Sequence, residues 1–299
     1  MTGPQPLTAT TRCAPLSLAR GDQRHGTAAP VARWLLIEQP GPWGRDAVLS
    51  SPLDPDVARD VDRRCREAGV RAMLIRKPGR AVAAESRQWA YVDSRLGRER
   101  IWWGEYGSDR QLVDIPLDGS AGRRASTPAY LVCTHARHDA CCAIRGRPVA
   151  AALAALRPGQ AWECSHTGGD RFAANVVVLP HGLYYGTVTP ADVPGLVAAH
   201  EGGRVVLDLL RGRSTLRMAV QAAQHHARGA VDDMGLTALP PSDVQHPEKD
   251  TWRVAFDHPR GEVVVTVRAR SSDPVPRLTC SAAGFQRVVT FDVVEVHIG

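Results

Sequence analysis

Residues 130–170 read YLVCTHARHDACCAIRGRPVAAALAALRPGQAWECSHTGGD, and the order of elements in this stretch decides the fold class. An apolar run, Tyr130-Leu131-Val132, delivers Cys133 to the start of a polar loop. The Cys141-Cys142 pair follows, just before a helical segment from Arg147 to Leu156, where Pro148 suits a first turn and Pro158-Gly159 supplies the stop. A second apolar approach, Ala161-Trp162, then brings Cys164, His166 and Asp170 around two glycines. Strand, helix, strand, with reactive side chains where the strands end, is an α/β layout. Four of the seven cysteines fall here, which makes the stretch a centre of chemistry as well as of packing.

Moving outward, the same order recurs upstream. Arg33 to Glu38 is a strand closed by Pro40-Gly41-Pro42, and Val57, Val61, Cys65 and Ala68 recur at helical spacing before Gly69. Arg71 to Ile75 is the next strand, followed by Trp89 to Val92 and Arg100 to Gly104. Downstream, Asn175 to Leu179 and Gly182 to Gly186 form a hairpin, and Thr189-Pro190 opens a helix through His200. The chain therefore divides into an N-terminal arm with little regular structure (1–30), a first α/β half (31–120), a second half with the cysteines (128–210) and an α+β C-terminal region (213–299). In that last region Ser214 to Met234 is helical, and Trp252 to Phe256 pairs with Glu262 to Arg268. Cys13 in the arm reads as a free or packed thiol, and Cys65 as core.

Composition narrows the function. The net charge is +6, but lysine stands only at Lys77 and Lys249 and the arginines are scattered among acidic residues, so no basic stripe suggests nucleic acid. No run approaches the roughly 18 apolar residues of a membrane span, and no signal-like start is present, so a cytoplasmic protein is expected. An odd, uneven set of cysteines argues for reduced thiols or metal ligation over a disulfide framework.

Iron-sulfur clusters are held mainly by cysteine, with histidine as a substitute. Cys133 and Cys142 are spaced for a loop that wraps a cluster, and if Cys142 points inward then Cys141 points away. His166 adds an imidazole, Asp170 a possible oxygen donor, and Gly168-Gly169 lets the backbone approach closely. Two other readings stand beside this one. Zinc favours tighter cysteine pairs, and a thiol oxidoreductase would use Cys141 or Cys164, although no C-x-x-C is present.

CTHARHDACCAIRGRPVA, CSHTGGDRFAANVVVLPHGLYYGTVTP and the upstream RWLLIEQPGPWG resemble the sucrase/ferredoxin-like family, relatives of the thioredoxin-like [2Fe-2S] ferredoxins. The resemblance implies a thioredoxin-like fold, so that the two related halves suggested by the repeated element order are expected to be thioredoxin-like, and a cluster held by two cysteines with an eight-residue gap and two histidines in H-x-G-G-H. Carried onto this sequence, the ligands are Cys133, Cys142 and His166. The second histidine is replaced by Asp170, so the fourth ligand is Asp170 or, alternatively, Cys164. His135, Asp139, Gly168, Gly169, Arg171 and Asn175 are expected to support the ligand loops. The implied function is electron transfer by a [2Fe-2S] protein serving a partner such as a flavin-dependent reductase. The alternatives are a scaffold with a zinc or empty site, or a thiol oxidoreductase.

Overall fold

The computed structural model describes residues 12–79 and 86–299. In chain order the elements are α1 (Cys13–Arg20), β1 (Arg33–Glu38), α2 (Pro55–Glu67), β2 (Arg71–Arg76), β3 (Arg87–Asp93), β4 (Arg100–Tyr106), α3 (Gln111–Asp114), β5 (Arg123–Ala125), β6 (Ala129–Cys133), α4 (Ala140–Leu156), β7 (Ala161–Cys164), β8 (Val176–Leu179), β9 (Leu183–Tyr185), α5 (Val193–Glu201), β10 (Leu210–Arg213), α6 (Met218–Val231), β11 (Pro241–Glu248), β12 (Thr251–Phe256), β13 (Val263–Ser271), β14 (Val275–Pro276), β15 (Phe285–Gln286) and β16 (Val289–Ile298). Among the described residues no helix is long and apolar enough to cross a membrane.

A single mixed sheet runs through the α/β part in the order β10-β9-β8-β6-β7-β2-β1-β3-β4-β5. Outward from its middle, both directions meet the same pattern. β1 and β2 are parallel around α2, as β6 and β7 are around α4, and each first strand carries an antiparallel neighbour on its other side. The two sets join where β2 meets β7, with Ile75 opposite Cys164 and Arg76 opposite Glu163. Arg76 closes that seam with a 2.7 Å ion pair to Glu163, which also accepts from the Thr134 hydroxyl.

Local signals explain most boundaries. Asp54 caps α2 by accepting from Asp56 and Val57 N–H, Pro55 fits its first turn, and Val57, Val61 and Cys65 are buried. Thr189 and Asp192 form a capping box ahead of α5. Trp103 stacks on Trp162 and Trp102 leans on Tyr91, so the tryptophan pair packs within the protein.

Two expectations change. α4 begins at Ala140, so Pro148 lies in its interior; Asp139 starts it early by accepting the Cys141 N–H. In the N-terminal arm, of which residues 1–11 lie outside the described residues, Cys13–Arg20 is helical and buries Cys13, Ala14 and Ser17. Gln23 of the arm exchanges two hydrogen bonds with the Phe291 backbone of β16.

The C-terminal region packs α6 on a four-stranded antiparallel sheet, β11-β12-β13-β16. β14 and β15 pair beside it and bracket the loop that carries Cys280.

Candidate metal centre

Cys133 ends β6 and is fully buried, on the same row of the sheet as Cys164 of the adjacent parallel β7. Cys142 lies in the first turn of α4. α4 approaches the end of β6 so closely that a Cβ on Gly146 would stand 2.2 Å from the Cys133 carbonyl oxygen, so glycine is required there. His166 and Asp170 come from the loop after β7.

These four side chains touch as a ring. The Cys142 thiol donates to Asp170 Oδ1 at 3.2 Å, and Asp170 Oδ1 lies 3.0 Å from His166 Nδ1. Cys133 closes the ring by contacting both Cys142 and His166. The Cys142 thiol holds Cys133 well below the usual thiol range; burial opposes this, and His166 and the His135 N–H assist it. Cys142 is raised in turn, first by Cys133 and then by burial. Burial works against charge on His166, but Asp170 and Cys133 outweigh it and push the imidazole up to about 9. Burial likewise opposes charge on Asp170, and His166, Cys142 and His138 together keep it below the usual carboxylate range.

The residues expected to support the loops have definite partners. His135 accepts the His166 N–H on Nδ1 and donates from Nε2 to the Gly44 carbonyl at 2.6 Å, which fixes its tautomer. Burial lowers its pKa, consistent with a neutral ring. Gly168 and Gly169 both adopt positive φ (92° and 76°). Asn175 donates to the Gly169 carbonyl, and Arg171 pairs with Asp22 of the arm at 3.3 Å. Asp139 caps α4.

Two contributors carry no motif in the sequence. Arg211, almost fully buried, donates to the Gly168 carbonyl, Asn175 Oδ1 and the Thr27 carbonyl, so one guanidinium pins the glycine turn to the arm. Burial lowers its pKa to about 10, which leaves it cationic. His138 stacks on His166 with ring centroids 3.5 Å apart and reaches within 3.7 Å of Asp170 Oδ2. His138, His166 and Asp170 place ligand atoms within 4.8 Å of one another and could hold a metal ion. Cys164 does not join the ring; it sits in the apolar core, where burial raises its thiol.

Cys141 points the other way, into a second cluster. Its thiol, those of Cys13 and Cys280, and the Asp139 carboxylate also lie within 4.8 Å of one another and could hold a metal ion. Contact with Cys13 lowers the Cys141 pKa to about 6 against the pull of burial.

An α/β protein with this concentration of thiols, imidazoles and carboxylates at strand ends has the makings of a metal-binding protein. The sequence model of the sucrase/ferredoxin-like family matches residues 24–212, and the chain belongs to that family. No curated protein and no solved structure matches it.

Proposed function

We propose that the chain holds a [2Fe-2S] cluster on Cys133, Cys142, His166 and Asp170, in a thioredoxin-like arrangement of two α/β halves, and serves as a one-electron carrier. The observation that carries this reading is the buried ring, with two sulfurs on one side and an imidazole and a carboxylate on the other. Thiolate and imidazole are the donors that iron-sulfur centres use. His166 Nδ1 is buried and lies 3.0 Å from Asp170 Oδ1.

When bound, the cluster supplies a one-electron couple; the chain's own residues hold it and set its surroundings. Cys133 is biased toward the thiolate that ligation needs. Arg211 and Asn175 fix the glycine turn, and His135 fixes the backbone of His166. The side chains of His138 and His166 are 29% and 26% exposed, so the imidazole edge is where a redox partner such as a flavin-dependent reductase would dock. Cys141 and Cys164 are 1% and 0% exposed, which leaves the thiol-oxidoreductase reading without a thiol that a substrate can reach. Seven free thiols fit the reducing cytoplasm.

Anaerobically purified protein should be red-brown, with about two irons and two acid-labile sulfides per chain, as a [2Fe-2S] centre requires. Cys133→Ser should bleach it. A colourless wild type containing zinc or no metal at this ring would favour the scaffold reading instead.

A further inference from the structure

We propose a second, separate metal site: a structural zinc ion held by Cys13, Cys141, Cys280 and Asp139. The Cys280 sulfur lies 3.5 Å from that of Cys13 and 3.6 Å from that of Cys141, and the Cys13 sulfur lies 3.5 and 3.6 Å from the two Asp139 oxygens. Zinc bonds of about 2.3 Å to sulfur and about 2.0–2.2 Å to oxygen give tetrahedral edges of roughly 3.8 Å between sulfurs and roughly 3.6 Å between sulfur and oxygen. The Cys280–Cys13, Cys280–Cys141 and Cys13–Asp139 edges thus match a zinc tetrahedron, and all four ligand atoms lie within 4.8 Å of one another.

The surroundings are those of a closed structural site, in which protein ligands fill every position. Cys13, Cys141 and Asp139 are 0%, 1% and 2% exposed. Asp139 is oriented from outside the tetrahedron, its Oδ1 accepting the Cys141 N–H at 2.7 Å and its Oδ2 the Cys280 N–H at 2.6 Å. Each carboxylate oxygen has two lone pairs, so a backbone bond leaves one for the metal. Two cationic elements oppose the excess negative charge of three thiolates and a carboxylate: the N-terminus of α4 and the Arg171 guanidinium, which acts on Cys13. Binding releases the thiol protons to solvent, and no redox step is involved.

The ligands come from the start of α1, the start of α4 and the β14–β15 loop, with Cys13 and Cys280 separated by 267 positions. Both lie outside the matched residues 24–212, so the site fastens the arm and the C-terminal region to the family's common part. Its residues are distinct from the Cys133 ring, and the two assignments can fail independently.

The test is elemental analysis of the purified full-length chain, wild type, Cys133→Ser and Cys280→Ser. One zinc per chain is expected in the wild type and in C133S, and its loss in C280S with the iron colour retained. Cobalt(II) added to zinc-stripped protein should give an intense thiolate-to-cobalt band and a tetrahedral visible spectrum, which C280S should lack. If C280S fails to fold, the cobalt spectrum and zinc content of the wild type and C133S decide the matter alone. Wild-type protein with no zinc and freely alkylated thiols, a Cys13–Cys280 disulfide by mass spectrometry, iron at these four ligands, or zinc that disappears in C133S would each overturn the assignment.

Discussion

Asp170 touches Cys142, His166 and His138 at once. If it ligates iron, Asp170→His should keep the colour and raise the reduction potential, because a neutral imidazole leaves the cluster less negative than a carboxylate does. Voltammetry of wild type, D170H and D170A checks this, and identical potentials in all three would remove Asp170 from the ligand set. Gly169 is a second sensitive residue. Its φ is 76°, and a Cβ there would stand 2.3 Å from an Arg211 guanidinium nitrogen. Gly169→Ala is expected to cost about 1–2 kcal/mol for the backbone alone, with more from displacing Arg211, read as a lowered Tm and reduced visible absorbance. His166, Asp170 and the glycines were legible in the sequence because one motif carries them. Arg211 was not, since nothing in Leu210-Arg211-Gly212 marks a side chain that turns inward, and His138 reaches the site only because the loop before α4 folds over it.

At the level of elements, α4 matters most. Its first turn sends two adjacent cysteines in different directions, Cys142 to the ring and Cys141 to the second cluster. Gly146 sets how near that turn lies to β6. Gly146→Ala should push the helix off the Cys133 carbonyl, cost about 1–3 kcal/mol by overpacking and lower iron content, whereas Ala→Gly at the exposed helix position Ala151 should leave iron content unchanged. Thermal melts with iron assays distinguish the two. Helix α2 could be read from its spacing, its cap and its stop. α4 was read only from Arg147 onward, because small apolar residues surround that helix and no polar face marks its first turns. α1 is too short for periodicity to declare it, and β11 (PSDVQHPE) shows no apolar alternation because it is an exposed strand held by pairing to β12. The second cluster was out of reach for a different reason: proximity across 267 positions is a property of the fold, and neither Cys13 nor Cys280 has a partner nearby in sequence.

At the scale of the whole molecule, several histidines are held as neutral rings, His200 buried and His25, His181 and His225 half-buried. Burial, with neighbouring charges, lowers the pKa of His25 to about 3 and of His181, His200 and His225 to about 4, from 6.5. Between those values the unfolded chain binds protons that the folded chain refuses, so the stability these four rings contribute is full above about pH 6.5 and falls as pH drops toward 4. Urea midpoints at pH 7.5, 6 and 5 should decline in that order, and the His181→Gln/His200→Gln pair should flatten the slope. A midpoint unchanged from pH 7.5 to 5 would show that these rings accept protons without unfolding.

The seam between β2 and β7 bears on whether the protein can be taken apart. The strand order outward from the seam is the same on both sides, yet Cys133, Cys142, His166 and Asp170 all belong to the later set, while the earlier set supplies Gly44, whose carbonyl holds His135, and Arg76, which pairs with Glu163. Chemistry and shelter are thus divided between two units of like plan. A fragment beginning near residue 128 would keep every proposed cluster ligand, but it would present β7 as an open strand edge, a template for self-association. The unit that bears the reactive groups is therefore not a portable module; its solubility is on loan from its neighbour.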